Sequence, residues 1–354
     1  MRMWMAALAT GLMVATPVAA QSAGKAVSAK VGKPYRFQHS GIVAPADLDG
    51  MRRVDVRQFG DDELDMFAVY EDGPDAITLY VYRTLNGSVP VWFDRARASV
   101  EQRRELFGNV VPVVPTAFTP PGQSSASGLM AGWTLNKAPY RGTALAILPV
   151  GEWLVKMRYT STKMDGAAVA ARLPAVLGAL DWPRGVPPAA VAAPVADCAT
   201  PLIFSPTAAA VTDPKLLRTA ALTGGLVAAA AAAGKGKPAA TPAVWCRDPA
   251  PAPVGAVYRR DAEPDGYLLA ISDSGRGISV QPDIIAQEIG EVDGKRVQQW
   301  SVALYDPGSI AIYGPVTGLP SPAMLVTALG RPVLARATTW GKKRTITLNR
   351  DTLK

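Results

Sequence analysis

Side chains that commonly carry catalysis are scarce in this sequence, which contains a single histidine and two cysteines among 354 residues. Zinc sites use several Cys and His ligands, so we predict no metal site and no bound cofactor. A Ser-His-Asp triad would have to use His39, and no Gly-x-Ser-x-Gly turn accompanies it. The nearest match to a reactive-serine turn, Ser272–Gly277, is equally typical of a hairpin. We therefore assign no catalytic residue.

Carboxylates leave one route to hydrolytic chemistry open. Two converging carboxylates are enough for glycoside hydrolysis, and oxygen-rich clusters also bind calcium. One acidic cluster lies between two predicted strands, where a solvated turn would have the same composition. Its members are Asp61, Asp62, Glu63 and Asp65. A periplasmic hydrolase that uses carboxylates or an unrecognised serine is therefore the alternative function.

An aromatic residue beside a run of cations forms the other candidate site. A predicted hairpin tip near the C-terminus combines an indole with basic side chains, which together suit an anionic or glycan ligand. Tryptophans on strands more commonly fill cores, so that interpretation also stays open. The possible ligand-binding residues are Trp340, Lys342, Lys343 and Arg344.

The formal net charge of +8 bears on the choice of partner. Basic pairs are scattered along the chain, and scattered pairs are typical of solvated faces. If the charge has a function outside the cytoplasm, we expect an anionic envelope polymer or another exported protein as the partner, and no nucleic acid. The sequence does not predict the oligomeric state.

The first 20 residues have the composition of a secretory signal peptide. Arg2 supplies a positive charge, an apolar run covers Met5 to Val18, and the segment ends in the small residues Ala19 and Ala20. The run is too short and too rich in alanine for a membrane span of about 20 residues. We expect cleavage after Ala20 and a soluble periplasmic or secreted protein.

The two cysteines, Cys198 and Cys246, predict one disulfide, because exported proteins fold in an oxidising compartment. Two buried free thiols or a redox pair are the competing interpretations. A thioredoxin-like role lacks support because the sequence has no Cys-x-x-Cys motif. A crosslink over a loop of this size would stabilise the fold by about 4 kcal/mol in the chain-entropy model.

Residues 33–182 alternate between strand and helix patterns and predict an α+β domain with an antiparallel sheet. Helices are expected over 91–107 and 166–180, the second capped by Asp165. The closing strand Gly151–Thr160, followed by a helix that ends in Leu180-Asp181-Trp182, resembles small domains of the PsbP-like type. That resemblance implies a fold for about 130 residues and no function.

A Pro/Ala-rich linker at 183–197 separates this domain from a second one at 198–354. An Ala-rich helix is predicted over 214–233, with Asp213 as its cap and Pro214 at its first position. A membrane span and a mobile insert are the alternatives for this segment. The remainder predicts strands and one short helix at 322–329.

These patterns together predict an exported α+β protein with two domains. Each domain is built on an antiparallel sheet with a few packing helices, and Pro/Ala-rich linkers join them. Because no catalytic constellation is recognisable, the leading hypothesis is a non-catalytic binding or envelope-associated module. A structural or inhibitory partner of another exported protein is a further class, which a large exposed apolar patch would support.

Overall fold

The structure is a computed structural model that describes residues 24–60, 62–233, 243–283, 285, 291–292, 295–296 and 298–353. The predicted signal peptide lies outside these residues. Two separate large sheets, each covered by helices, confirm the predicted α+β class with two domains. Pairing within both sheets is antiparallel, except that Ala196–Asp197 runs parallel to its neighbour at Cys246–Arg247.

The first sheet has the strand order β1-β5-β6-β7-β12-β11-β10-β8, with β4 paired to β5 and β9 paired to β10. Strands β2 and β3 form a small separate sheet. The strand bounds are β1 Lys25–Ala26, β2 Tyr35–Arg36, β3 Val43–Ala44, β4 Asp47–Leu48, β5 Met51–Gln58, β6 Asp65–Asp72, β7 Asp75–Arg83, β8 Val110–Pro112, β9 Thr116–Phe118, β10 Gly128–Leu135, β11 Gly142–Val150 and β12 Trp153–Ser161.

Both faces of this sheet are buried, as the composition of β7 predicts. Ile77 and Leu79 point to one face, which helix α3 (Gly166–Gly178) covers. Tyr82 points to the other face, which helix α1 (Val89–Glu101) covers. Side chains alternate along a strand, so one apolar strand serves two cores.

The single helix predicted over 91–107 is interrupted in the structure. Helix α1 ends at Glu101, and the short helix α2 (Arg104–Phe107) follows after Arg103, which has a non-helical ψ of 47°. Gly108 then ends the segment with a positive φ of 69°, a conformation that glycine adopts without strain. Arg103 lies at this break, and its side chain lines a cavity together with residues of the sheet.

Asp165 caps α3 as predicted, since its Oδ1 accepts a hydrogen bond of 2.9 Å from the backbone N–H of Ala168. Replacing Asp165 with alanine leaves that N–H without its partner, so we expect the free energy of unfolding to fall by about 1 kcal/mol. Urea denaturation followed by circular dichroism measures the change. Asp72→Ala is the matched control. The Asp72 carboxylate is exposed, and its ion pair with Lys163 is long at 3.9 Å and contributes little to stability. Equal stability of the two variants would contradict the capping role.

The second sheet has the order β13-β15-β16-β17-β18-β21-β22-β23-β24, with β14 paired to β22; β19 and β20 pair separately. The strand bounds are β13 Ala196–Asp197, β14 Ala209–Ala210, β15 Trp245–Asp248, β16 Ala256–Arg260, β17 Tyr267–Ala270, β18 Gly277–Pro282, β19 Glu291–Val292, β20 Lys295–Arg296, β21 Gln299–Asp306, β22 Ser309–Thr317, β23 Ala335–Thr338 and β24 Ile346–Leu348. Helices α4 (Pro214–Ala233) and α5 (Pro322–Ala328) accompany it, and a 3-10 turn lies at Arg350–Leu353.

The Ala-rich segment forms helix α4 and packs on its own domain, against β22, β23 and β24. A Cβ atom added to Gly224 would lie 2.8 Å from Cγ2 of Ile312, so this glycine permits a close approach of helix and sheet. Asp213 begins the helix, accepting a 2.7 Å hydrogen bond from the N–H of Lys215. No helix in the described ranges combines the length and apolarity needed to cross a membrane.

The two domains share one apolar cluster. Tyr258 and Leu268 of the second sheet pack in the same core as Trp92 and Phe93 of α1. Buried polar contacts cross the same boundary: the Tyr258 hydroxyl donates to Asp94 at 2.7 Å. The second domain therefore supplies walls to cavities on the α1 face of the first sheet.

Candidate functional site

A cavity of about 230 Å³ lies where α1, the first sheet and the loop between β17 and β18 meet. It is lined by side chains from both domains, and cations and aromatic rings dominate its wall. The lining residues are Phe59, Phe67, Tyr80, Ala96, Ser99, Val100, Arg103, Leu145, Lys156, Arg158, Asp273 and Ser274. We call this space the basic cavity.

Aromatic rings form one wall of the basic cavity. Phe67 and Tyr80 are directly opposed on β6 and β7, with ring centroids 5.6 Å apart. Phe59, just beyond the end of β5, continues the row at 5.2 Å from Phe67 and is exposed. Cross-strand pairing thus aligns Phe67 with Tyr80, and Phe59 extends the row of rings to solvent.

Lys156 ends this row and is nearly completely buried. It pairs with Tyr80 across β7 and β12, and its Nζ lies 4.3 Å from the centroid of the Tyr80 ring. The same ammonium forms a 2.8 Å ion pair with Oδ2 of Asp273, in the loop of the second domain. Partial burial of Asp273 acts to raise its pKa, but Lys156, Arg158 and Arg103 outweigh it and leave the pKa below its usual value. Lys156 therefore has its counterion, and the pair joins the domains.

Arg103 and Arg158 line the basic cavity without a carboxylate partner. Neither guanidinium makes an ion pair or a side-chain hydrogen bond with any described residue. Burial, together with the neighbouring charge of Arg158, lowers the pKa of Arg103 below its ordinary value. Asp273 attracts both guanidinium groups, but its single charge also pairs with Lys156, so it offsets only part of the repulsion between the two arginines. The cavity thus has an excess of positive charge beside aromatic rings.

This arrangement suits an anionic group attached to a ring. A guanidinium offers paired N–H donors that match the two oxygens of a carboxylate or phosphate. Aromatic faces next to the cations provide a surface for the apolar faces of a ring. A molecule that brings both would relieve the repulsion between Arg103 and Arg158 while it packs against Phe59 and Phe67.

A larger cleft of about 670 Å³ lies between the domains beside the loop before α1. Its wall contains the opposite charges Arg260 and Glu263 together with many alanine and proline residues. Since it presents no excess charge, the basic cavity is the stronger candidate for selective binding.

The predicted acidic cluster is not brought together as one site. Asp65 points into the domain boundary, where Nη1 of Arg276 lies 2.6 Å from its Oδ2. Burial raises the pKa of Asp65 against the opposing effect of Arg276. Asp62 instead accepts a hydrogen bond from the N–H of Leu64, and Asp61 lies outside the described residues. Within the part of the chain that the structure describes, no three His, Cys, Asp or Glu residues are placed to hold a metal ion.

Trp340 lies at the domain boundary, in the loop between β23 and β24. Its ring centroid is 5.1 Å from that of His39 and 5.8 Å from that of Trp153, and the Arg83 guanidinium lies over it at 5.1 Å. The three basic residues that follow it are exposed: Lys342, Lys343 and Arg344. The Trp340 indole thus packs against three side chains of the first domain. Ligand binding by these four residues stays a prediction.

His39 and the serine turn contact different partners. The His39 ring contacts Trp340, whereas the hydroxyls of Ser272 and Ser274 lie 3.2 Å from each other. Ser274 also accepts a 3.1 Å hydrogen bond from Arg276. The turn joins β17 to β18, as a hairpin does, and its Asp273 supplies the counterion of Lys156.

Cys198 and Cys246 form the predicted disulfide across 48 residues of sequence. Cys246 lies on β15, and the N–H of Cys198 donates to the carbonyl oxygen of Arg247 on the same strand. The bridge therefore closes the segment that contains α4 at its base. A structural disulfide fits a protein that folds in an oxidising compartment.

None of the four charged residues that line the basic cavity was predicted from the sequence as a site residue; they are Arg103, Lys156, Arg158 and Asp273. One signal was present in β12, where Trp153, Val155 and Met157 form an apolar face. Lys156 and Arg158 lie with Leu154 on the other face, which the structure shows to be covered. Two cations on a covered face need a counterion or a ligand. Arg103 and Asp273 carried no comparable signal. Arg103 reaches the cavity from the break between α1 and α2, and Asp273 reaches it from a turn of the second domain.

The fold and the cavity define a two-domain α+β protein with a basic, aromatic-lined site at its domain boundary. No family model matches the chain, and no curated protein matches its sequence. Among solved structures, the chain is similar to cyanobacterial PsbP (CyanoP) from Synechocystis sp. PCC 6803, at 11% identity and a TM-score of 0.31. The match covers 45% of this chain and 98% of that one. It supports the weak PsbP-like resemblance and carries no argument about function.

Proposed function

We propose that this protein is an exported, non-catalytic binding module whose basic cavity takes a carboxylate or phosphate group on a sugar ring. The observation that carries the proposal is the pair of guanidinium groups, Arg103 and Arg158, that share one cavity without a carboxylate partner. An anion bound between them gains charge-assisted hydrogen bonds, each contributing about 1.5–3 kcal/mol. It also removes the repulsion between the two cations.

The source of the ligand follows from the compartment. The disulfide, together with the leader that we expect to be cleaved after Ala20, supports a periplasmic or secreted location. Acidic sugars of an anionic envelope polymer combine both features that the cavity selects, namely a ring and an anionic group. The volume of about 230 Å³ has room for a single such unit. Another exported protein with an acidic side chain is the less favoured partner, since it offers no ring beside its charge.

The cavity favours binding over hydrolysis. In a Ser–Lys hydrolase, the lysine would accept a proton from the serine hydroxyl. Here Nζ of Lys156 makes an ion pair with Asp273 and lies over the Tyr80 ring. These contacts engage the amine with Asp273 and Tyr80 and not with a serine hydroxyl. The hydrolase hypothesis would need turnover that depends on this cavity.

Isothermal titration of the purified protein with glucuronate, glucose 6-phosphate and neutral glucose tests the proposal. We expect at least one of the two anions to bind and glucose to show no binding. Arg103→Gln and Arg158→Gln should each weaken the binding of that anion by about tenfold or more. Comparing the two anions distinguishes a carboxylate ligand from a phosphate ligand.

Arg104→Gln is the matched control. Arg104 adjoins Arg103 in sequence but is exposed and does not line the cavity. Its replacement removes the same charge from the protein and should leave the affinity unchanged. Equal losses in all three variants would show a non-specific effect of net charge. That result, absence of binding by both anions, or equal binding of glucose would contradict the proposed function.

A further inference from the structure

The outward face of helix α4 is apolar, although it faces solvent. Leu222 is 50% exposed, Leu226 is 65% exposed and Val227 is 54% exposed. No charged residue occurs between Thr219 and Ala233, so the rest of this face is alanine, glycine and threonine. We call the surface formed by Leu222, Leu226 and Val227 the α4 face.

The α4 face is distinct from the side of the helix that packs in the core. The opposite side of the helix already packs on the second sheet through Ala220, Ala221 and Ala228, which are buried. A surface helix normally places polar residues on the side away from its core. Contiguous exposed apolar residues instead mark an interaction surface.

Basic residues lie at both ends of the α4 face. Lys215 is exposed in the first turn of the helix. From there the helix runs along β23, since Ala221 shares a cluster with Leu334 and Ala228 shares one with Ala335 and Ala337. Its C-terminal end is therefore directed toward the loop that follows β23, where Lys342 and Lys343 are exposed.

The apolar surface continues from the helix onto the neighbouring strand. A Cβ atom added to Gly225 would lie 3.1 Å from Cγ2 of Ile346, so β24 runs directly beside the helix. Ile346 itself is 41% exposed. The strip thus extends from α4 toward the same basic loop.

We propose that the α4 face docks onto the surface of an anionic lipid bilayer. In this orientation Leu222, Leu226 and Val227 enter the boundary between headgroups and acyl chains. The lysines at either end then lie near anionic headgroups. Apolar insertion and attraction of basic residues to anionic lipid act together in peripheral membrane binding.

Charge argues against a second copy of the chain as the occupant. Two copies that met through this face would align their helices either parallel or antiparallel. Lys215 at one end and Lys342 and Lys343 at the other would face like charges in both arrangements, which is unfavourable, and Asp213 offsets this only at the first end. A bilayer of anionic lipid has the complementary charge at both ends.

Flotation of the purified protein with lipid vesicles tests this proposal. We expect association with vesicles of phosphatidylglycerol and phosphatidylcholine, and much weaker association with phosphatidylcholine alone. Leu222→Gln/Leu226→Gln and Lys342→Gln/Lys343→Gln should each lower the partition coefficient by roughly tenfold or more. All four side chains are exposed, so circular dichroism should show unchanged folding.

Val111→Gln/Val114→Gln is the matched control, because both valines are exposed but lie in the first domain. This variant should float like the unmodified protein. Arg103→Gln and Arg158→Gln should do so as well, which separates this surface from the basic cavity. Three results would each overturn the proposal: no association with anionic vesicles, association that survives the double leucine replacement, or a dimer in light scattering that the replacement abolishes.

Discussion

Replacing Arg83 with methionine is expected to lower the free energy of unfolding by about 3 kcal/mol and to uncouple the two domains. Arg83 is buried at the end of β7. Its guanidinium donates to the carbonyl oxygen of Pro307 at 2.7 Å and to the hydroxyl of Thr339 at 2.8 Å, both in the second domain. It also forms a 2.7 Å ion pair with Glu152. Methionine keeps much of the apolar volume but leaves these buried acceptors without a donor.

Urea denaturation followed by tryptophan fluorescence and by circular dichroism measures this effect. In the unmodified protein, we expect the two signals to change together, because the domains share a core and a polar boundary. In Arg83→Met, they should separate into two transitions. Arg52→Met is the control, since Arg52 is exposed on β5 of the same domain. A stability equal to that of the control would refute the coupling role of Arg83.

Removing the disulfide is expected to lower the stability of the second domain by about 4 kcal/mol. The bridge closes a loop of 48 residues that contains all of α4. Without it, the unfolded chain gains conformational freedom in this loop. Helix α4 depends on the tether because its buried side consists largely of alanine, which buries little apolar area per residue.

The variant Cys198→Ala/Cys246→Ala measures this contribution in the same denaturation experiment. We expect the transition of the second domain to move to lower urea concentration. In the background of Arg83→Met, where the domains unfold separately, the transition of the first domain should not change. Treatment of the unmodified protein with a thiol reductant should reproduce the shift. Indistinguishable stability with and without the bridge would refute this account.

Local signals in the sequence located most helices and strands. Asp213 and Pro214 predicted the start of α4, and the structure begins the helix at Pro214. The short helix predicted at 322–329 forms α5 at Pro322–Ala328. Caps, turns and side-chain periodicity act over a few residues, so the sequence alone contains this information.

The basic cavity could be predicted only in part. Lys156 and Arg158 lie on one face of β12, opposite the apolar face of Trp153, Val155 and Met157. Their partners come from distant positions: Arg103 follows a break in the first helix, and Asp273 lies in a turn of the second domain. No local pattern brings these residues to one point. Packing of α1 and α2 on the first sheet brings Arg103 to Lys156 and Arg158, and packing of the two domains adds Asp273.

For Trp340, the local sequence suggests more exposure than the structure shows. Its neighbours in sequence suggest an exposed aromatic and basic tip, but its indole contacts Trp153 and His39 of the first domain. Which side of a loop residue is covered depends on the element that packs against it. That element lies about 190 residues earlier in the case of Trp153.

By itself, the sequence determined the α+β class, the helix starts, the expected disulfide and the scarcity of catalytic side chains. Each of these depends on residue type or on spacing over a short stretch of chain. The tertiary structure decided that Arg103 and Arg158 share a cavity, that Lys156 pairs with Asp273, and that α4 exposes an apolar face. These are relations between surfaces. They arise only from packing, within one domain for Arg103 with Arg158 and for α4, and between the domains for Lys156 with Asp273. Burial and charge pairing depend on distance in space, which spacing along the chain does not determine.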